Sequence, residues 1–243
     1  MSKHTYLPIL IGAGGVASYF LPSFIRTFKF TKGFIVDGDT LEERNLDRQL
    51  FNKDCIGKNK AEALVSTLRL KKHFDTIPQY LSESSIPEAI SDRINRGLNS
   101  SLTPVIICMV DNHPARRAAI NIAEQHQTLF LMMANEYETS QAILHDFSSY
   151  PPKLAPQVRY PSISTGQSNN PISCQGVALE SSPQLAMANA TAASLGNLLL
   201  WQWDQSVDCW GIAPSWLPIE HQSTISNLET ITYEQANKEI LPK

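Results

Sequence analysis

Short apolar runs alternate along this chain with stretches whose apolar residues recur every three or four positions, and the alternation predicts repeated strand-helix units. Residues 7–11, LPILI, read as a strand, and residues 16–28 as a helix with Phe20, Leu21, Phe24, Ile25 and Phe28 on its packed side. Residues 33–36 read as the next strand, and 59–72 as a helix whose inner face carries Ala61, Leu64, Val65 and Leu68. A strand over 74–81 and a helix over 87–97, with proline at its start and glycine at its end, follow. Residues 104–110, PVIICMV, are a continuous apolar run of the kind shown by a parallel strand buried on both faces. A helix over 114–125 and two further strands over 128–134 and 141–147 complete the predicted sheet. The alanine-rich stretch 183–203 predicts a long helix with Leu185, Ala188, Ala192, Leu195 and Leu199 on one stripe. The fold class predicted is α/β and Rossmann-like: a mostly parallel sheet flanked by helices, then a long loop and a C-terminal helical extension. The long loop is 148–183, rich in proline and serine, where packed elements are not expected. Residues 204–243 predict no element, and dock on the sheet or meet a partner.

Chemistry concentrates where strands end. Gly12, Gly14 and Gly15 fall between the first strand and the first helix, where a tight turn needs glycine and the free N–H groups of a helix start face an anion. Ala17 holds the place of the third small residue in the G-x-G-x-x-G/A fingerprint. The second strand ends in Asp37, positioned to accept ribose hydroxyls. Asn45, Arg48, Gln49 and Lys60 follow in a polar segment. Two permanent cations near a phosphate turn suit a triphosphate better than a dinucleotide, so the spacing favours ATP over NAD. Asp111, at the end of the buried strand 104–110, meets those phosphates through Mg²⁺ or else caps the helix that follows. Arg116 orients Asp111 or is a solvated helix residue.

Taken together, Gly12-Ala13-Gly14-Gly15-Val16, Asp37-Gly38-Asp39, Asn45-Leu46-Asp47-Arg48-Gln49, Gly57-x-x-Lys60 and Val110-Asp111-Asn112 with Arg116 resemble the adenylation domain of the ThiF/MoeB and ubiquitin-activating enzyme superfamily. The resemblance covers roughly residues 1–135 and, more loosely, the region of Cys174. It implies an ATP-binding adenylation core over 1–147, a crossover loop over 148–183 with Cys174 as candidate catalytic cysteine, and a closing helix with its extension over 184–243. It implies that the C-terminal glycine of a small ubiquitin-like protein is adenylated, with ATP and Mg²⁺ as cofactors. Gly12, Gly14 and Gly15 would admit the phosphates, while Asp37 and Asp39 would hold the ribose. Asn45, Arg48, Gln49 and Lys60 would surround the triphosphate, Asn112 would join the ATP-binding residues, and Asp111 would position Mg²⁺. Arg48, Asp111 and Cys174 are the expected catalytic residues, Cys174 as a thioester nucleophile fed by the acyl-adenylate. Partners implied are that ubiquitin-like protein, a conjugating-enzyme-like acceptor, and further subunits in a homodimer or heteromer. No arginine precedes Arg26 in this sequence, so the arginine that an N-terminal arm supplies to a neighbour's ATP site in homodimeric relatives is expected to be replaced by another group or by a different subunit.

Charge and cysteine usage narrow the setting. A net charge of -3 offers no broad basic face, so nucleic acid is not an expected partner. No run approaches a membrane span or a signal-peptide core, and a cytoplasmic protein is expected. Cys55, Cys108, Cys174 and Cys209 include no CxxC pair, so neither a disulfide framework nor the structural zinc of many relatives is expected. These departures favour a compact bacterial enzyme that primes a ubiquitin-like protein for conjugation, in a defence setting, over a sulfur-carrier adenylyltransferase of ThiF/MoeB type. Adenylation of a small molecule and a silent nucleotide-binding scaffold subunit are the further alternatives. An NAD-dependent oxidoreductase would leave Arg48 and Lys60 unexplained.

Overall fold

The computed structural model of the chain describes residues 2–135, 139–166, 185–206, 217–224, 227–232 and 234–235. Strand β1 (Thr5–Ile11) leads through the glycine turn into helix α1 (Gly15–Thr27), and the chain returns as the short β2 (Lys29–Phe30) and then β3 (Gly33–Val36). An excursion containing two 3₁₀ turns leads to α2 (Lys60–Thr67) and β4 (Phe74–Ile77). Then come α3 (Glu88–Leu98), β5 (Thr103–Cys108), α4 (His113–Gln125), β6 (Leu129–Asn135) and β7 (Thr139–Asp146). Two short helices, α5 (Pro156–Arg159) and α6 (Pro161–Thr165), precede the long α7 (Ala186–Ser206), and β8 (Pro218–Thr224) and β9 (Asn227–Thr232) follow.

These strands form one sheet in the order β4-β3-β1-β5-β6-β7-β8-β9, with β2 pairing the start of β1. Pairs from β4 to β6 are parallel, and pairs from β6 to β9 are antiparallel. Period-two alternation sorts each central strand onto two cores. On β1, Tyr6 and Leu10 join Phe20 and Phe24 of α1, Leu64 of α2 and Leu199 of α7. Its intervening Leu7, Ile9 and Ile11 join Ile90 and Ile94 of α3 and Ile120 of α4 on the other face. Strand β1 is therefore covered on both sides, which is why its sequence is continuously apolar.

Several element boundaries differ from the sequence reading, each for a local reason. Helix α2 ends at Thr67, well before residue 72, because Arg69 takes φ +57° and turns the chain. Strand β4 ends at Ile77 because Pro78 has no N–H for the ladder. The stretch expected as open loop from residue 148 is, as far as residue 166, a 3₁₀ turn (Pro152–Leu154) followed by α5 and α6. Proline opens all three, where the missing N–H costs nothing, and Leu154, Ala155 and Ile163 are buried. Beyond α7, where the sequence predicts no element, the chain docks on the sheet as β8 and β9, so β7 is an interior strand.

Two buried polar tethers close the structure. The Asp204 carboxylate near the end of α7 accepts bonds from the N–H groups of Lys3 (2.8 Å) and His4 (3.1 Å) and from the hydroxyls of Ser2 (2.9 Å) and Tyr6 (3.0 Å). Burial raises this carboxyl, but those donors outweigh it and hold it below the usual carboxylate range. On the opposite face Glu220 of β8, fully buried, pairs with Arg159 and accepts from the Tyr160 hydroxyl and from Gln141 and Gln222. The pair anchors α5 to the sheet.

Candidate active site

Strands β3 and β5 leave opposite sides of β1, so the order of the sheet reverses at β1 and a crevice opens beyond the C-terminal ends of these three strands. The predicted glycines line it. Gly12 has φ +95°, and a Cβ there would sit 2.8 Å from the Met109 carbonyl oxygen. Its missing side chain lets the exits of β1 and β5 approach, joined by Met109 N–H donating to the Ile11 carbonyl at 2.8 Å. Gly14 is the N-cap of α1 with no side-chain cap, and a Cβ there would meet nothing within 4 Å. The start of α1 therefore carries no side-chain cap, and an anion there would serve its first N–H groups. Gly15 serves packing instead. A Cβ there would lie 2.4 Å from Asn189 Nδ2, so this glycine seats α7 against the turn.

Asp37 binds the turn itself. One carboxylate oxygen accepts from Ala13 N–H at 2.6 Å and the other from Asp39 N–H at 2.8 Å. Burial raises the Asp37 carboxyl, opposed by those two N–H groups and by Lys60. Asp39 is held by Lys60 Nζ at 2.8 Å and by the Tyr80 hydroxyl at 2.6 Å. Its burial acts upward, but these bonds prevail and its carboxyl lies below the usual range. The Tyr80 phenol is pushed up to about 12 by the same bond. Lys60, the first helical residue of α2, is therefore paired with the acidic tip of β3, its backbone N–H also donating to the Asp39 carbonyl at 2.8 Å. Asn59, the N-cap of α2, joins both elements: its Oδ1 accepts from Ala61 N–H, and its Nδ2 donates to the carbonyls of Asp37 (2.7 Å) and Asp39 (3.1 Å).

Asn45, Arg48 and Gln49 lie on the excursion between β3 and α2. The Asn45 Oδ1 is spent on Glu42 N–H in a capping box, and the Arg48 Nη1 donates to Asp47 and to the Arg44 carbonyl. Among the described residues, buried Arg48 Nε, Gln49 Oε1 and Asn189 Oδ1 have no partner, although Asn189 Nδ2 donates to the Arg48 carbonyl at 3.1 Å. Of these, Asn189 Oδ1 lies at the start of α1, 2.6 Å from where a Cβ on Gly15 would stand, and bound water there would supply its partner.

Asp111 follows β5 and is exposed. It does not cap α4: that is done by Asn112, whose Oδ1 accepts from Ala115 N–H at 2.9 Å. Asn112 is thus committed to the helix. Arg116 is not solvated; it is 3% exposed and its Nε donates to the Val110 carbonyl at 3.2 Å, which pins the residue before Asp111. Mg²⁺ takes one or two carboxylates together with phosphate oxygens, a role the exposed Asp111 carboxylate suits. Cys174, the expected nucleophile, lies outside the described residues. Cys55 and Cys108 are buried. Asn59, Tyr80 and Asn189 are site residues that the sequence reading misses. An asparagine before a helical run is a legible cap signal, whereas neither Tyr80 nor Asn189 belongs to a local pattern that marks it.

No helix among the described residues is long and apolar enough to cross a membrane. No curated protein matches the chain in sequence. Among solved structures, E. coli MccB with ATP is 16% identical with a TM-score of 0.57 over 95% of this chain and 63% of that one. MccB with AMPCPP and MccA is 14% identical, TM-score 0.58, over 95% of this chain and 64% of that one. PaaA is 14% identical, TM-score 0.57, over 95% and 63% respectively. Identities this low establish the fold, and the chain spans less than two thirds of these neighbours' length. The family model of the ThiF family matches residues 5–155, more than half of the chain, and the chain belongs to the ThiF family.

Proposed function

We propose that this protein is an ATP-dependent adenylating enzyme that activates the C-terminal carboxylate of a small ubiquitin-like protein. The observation that carries the reading is the convergence of an open, uncapped helix start at Gly14, the Asp37–Asp39–Lys60 cluster and the exposed Asp111 on one crevice at the strand ends. In the reaction, a carboxylate oxygen of the partner attacks the α-phosphorus of ATP. The new O–P bond forms as the bond to the bridging oxygen breaks, and pyrophosphate leaves. Little covalent chemistry is asked of the protein; orientation and charge stabilisation carry the step. The N–H groups of the glycine turn, with Arg48 and Lys60, would hold the phosphates, while Asp37 and Asp39 would hold the ribose. Mg²⁺ at Asp111 would offset charge on the phosphate oxygens. Membership of the ThiF family supports this reading, as does a neighbour solved with ATP and, separately, with AMPCPP and MccA. The Cys174 thiolate would then attack the acyl carbon, its new S–C bond forming as the C–O bond to AMP breaks and AMP leaves. The pathway proposed is bacterial and conjugative, with a conjugating-enzyme-like acceptor.

ATP–pyrophosphate exchange with a candidate protein ending in Gly-Gly tests it. Exchange is expected to need that C-terminus and Asp111 and to survive Cys174→Ala, since sulfur acts after adenylation. A protein that binds ATP yet exchanges with no such partner overturns the reading and leaves a small-molecule substrate or a scaffold subunit.

A further inference from the structure

Tyr80 is the described aromatic residue most open to solvent, 68% exposed, and it is not loose. It follows β4, the strand beside β3 at the sheet edge, and its ring lies against the backbone of Gly38. A Cβ built at Gly38 would come within 2.5 Å of Tyr80 Cγ and 2.6–2.7 Å of both Cδ atoms, so only glycine admits the ring there. Its hydroxyl is fixed on Asp39 Oδ1 at 2.6 Å, and the second oxygen of that carboxylate is held by Lys60. An aromatic ring with one face on glycine, its tip anchored and the rest in water leaves apolar area exposed that folding alone does not explain.

We propose that Tyr80 is the base platform of the nucleotide site: the nucleobase stacks on its open face while the adjoining Asp37 and Asp39 carboxylates hold the ribose. This rests on the nucleotide reading above and adds to it the surface on which the base is recognised. The carboxylate that holds the ring's hydroxyl belongs to the same Asp37-Gly38-Asp39 tip, so ring and ribose acceptors are set by one corner of the backbone. Stacking of a base on a protein ring is tolerant of base identity, so the platform adds affinity for a nucleoside over a bare polyphosphate.

Isothermal titration of ATP into the wild type, Tyr80→Ala, Tyr80→Trp and Gly38→Ala tests the proposal, with melting temperature read alongside to report folding. Tyr80→Ala is expected to weaken ATP about ten-fold, within the range for loss of one stacked base, and Tyr80→Trp to restore wild-type affinity within about two-fold. Gly38→Ala, which keeps the tyrosine but lifts the ring, is expected to weaken ATP as Tyr80→Ala does. The double variant should then lose no more than either single one, because both remove one platform. Equal ATP affinity in the wild type and Tyr80→Ala overturns the platform while leaving the nucleotide site intact. Additive losses in the double variant, or no rescue by tryptophan, also overturn it. A folded wild type that binds no ATP sinks the nucleotide reading and the platform together.

Discussion

Asp111 stands exposed at the end of β5 while its neighbours are committed: Val110 through its carbonyl to Arg116, and Asn112 to the first turn of α4. Its carboxylate is open to chemistry because the cap of α4 does not use it. Asp111→Asn is accordingly expected to lower ATP–pyrophosphate exchange by about 100-fold or more, as loss of a charge-stabilising group does. The melting temperature should stay within about 2 °C, since a surface substitution outside packed features changes stability by about 0.5 kcal/mol or less. A large fall in melting temperature would make Asp111 structural. His145 is the opposite case, buried beside Phe147 and Tyr150 with neither ring nitrogen partnered among the described residues. Burial, and then the nearby Arg159 charge, lower it to about 4. The folded protein holds this imidazole neutral while the unfolded chain protonates it near its ordinary value, so the contribution is full above about pH 6.5 and falls away as pH drops toward 4. At about 1.4 kcal/mol per unit the loss is on the order of 3 kcal/mol. Urea midpoints at pH 7 and pH 4.5 should separate much less in His145→Phe than in the wild type. Equal separations would show that other groups set the acid sensitivity.

Between elements, the crevice is held by connections that join the starts of helices to the ends of strands. Asn59 illustrates this, capping α2 through Oδ1 while Nδ2 bridges two carbonyls at the tip of β3. Asn59→Ala is expected to cost about 1 kcal/mol for the cap and more for the two carbonyls left without this donor. Thermal unfolding would measure that cost, and ATP titration would measure the effect on the site, because Asp37, Asp39 and Lys60 all meet at that junction. Unchanged ATP affinity in the alanine variant would mean that α2 does not position the site. Seating α7 at Gly15 works in the same way, by making a long helix follow a glycine turn distant in sequence.

Across the complete structure, the sheet is finished from the far end of the chain. Strand β8 covers the edge of β7 and brings Glu220 to Arg159, Tyr160, Gln141 and Gln222. Ending the chain after residue 206 would expose the β7 edge and leave the Arg159 charge without this partner. An open edge favours association through strand pairing. Such a truncation is expected to elute as aggregates in size-exclusion chromatography, and Glu220→Gln in the full chain to lose about 3–5 kcal/mol in urea denaturation. A monodisperse truncated protein would show that β8 and β9 are dispensable.

The strands and helices of the first half are legible because each carries its own periodicity, and the glycine turn, Asp37, Lys60 and Asp111 because strand ends are marked by abrupt changes from apolar to polar residues. The last two strands of the sheet are not legible. Strands β8 and β9 are mixed in polarity, and the place of β8 follows from pairing with β7 across a long separation in sequence. Residues 148–166 read as loop because proline in number reads as a breaker, yet proline in a first turn permits a helix once Leu154 and Ile163 have a core to enter. Residue type alone established which groups are chemically able to bind a phosphate, a ribose or a cation, since those abilities reside in side-chain chemistry and in the backbone freedom of glycine. How they are spent was settled in three dimensions: Asp37 on the turn, Asp39 on Lys60 and Tyr80, Gly15 on Asn189. Hydrogen bonds and steric exclusion act over a few ångströms in space, and residues 21 or more positions apart meet at those distances only when the sheet has assembled.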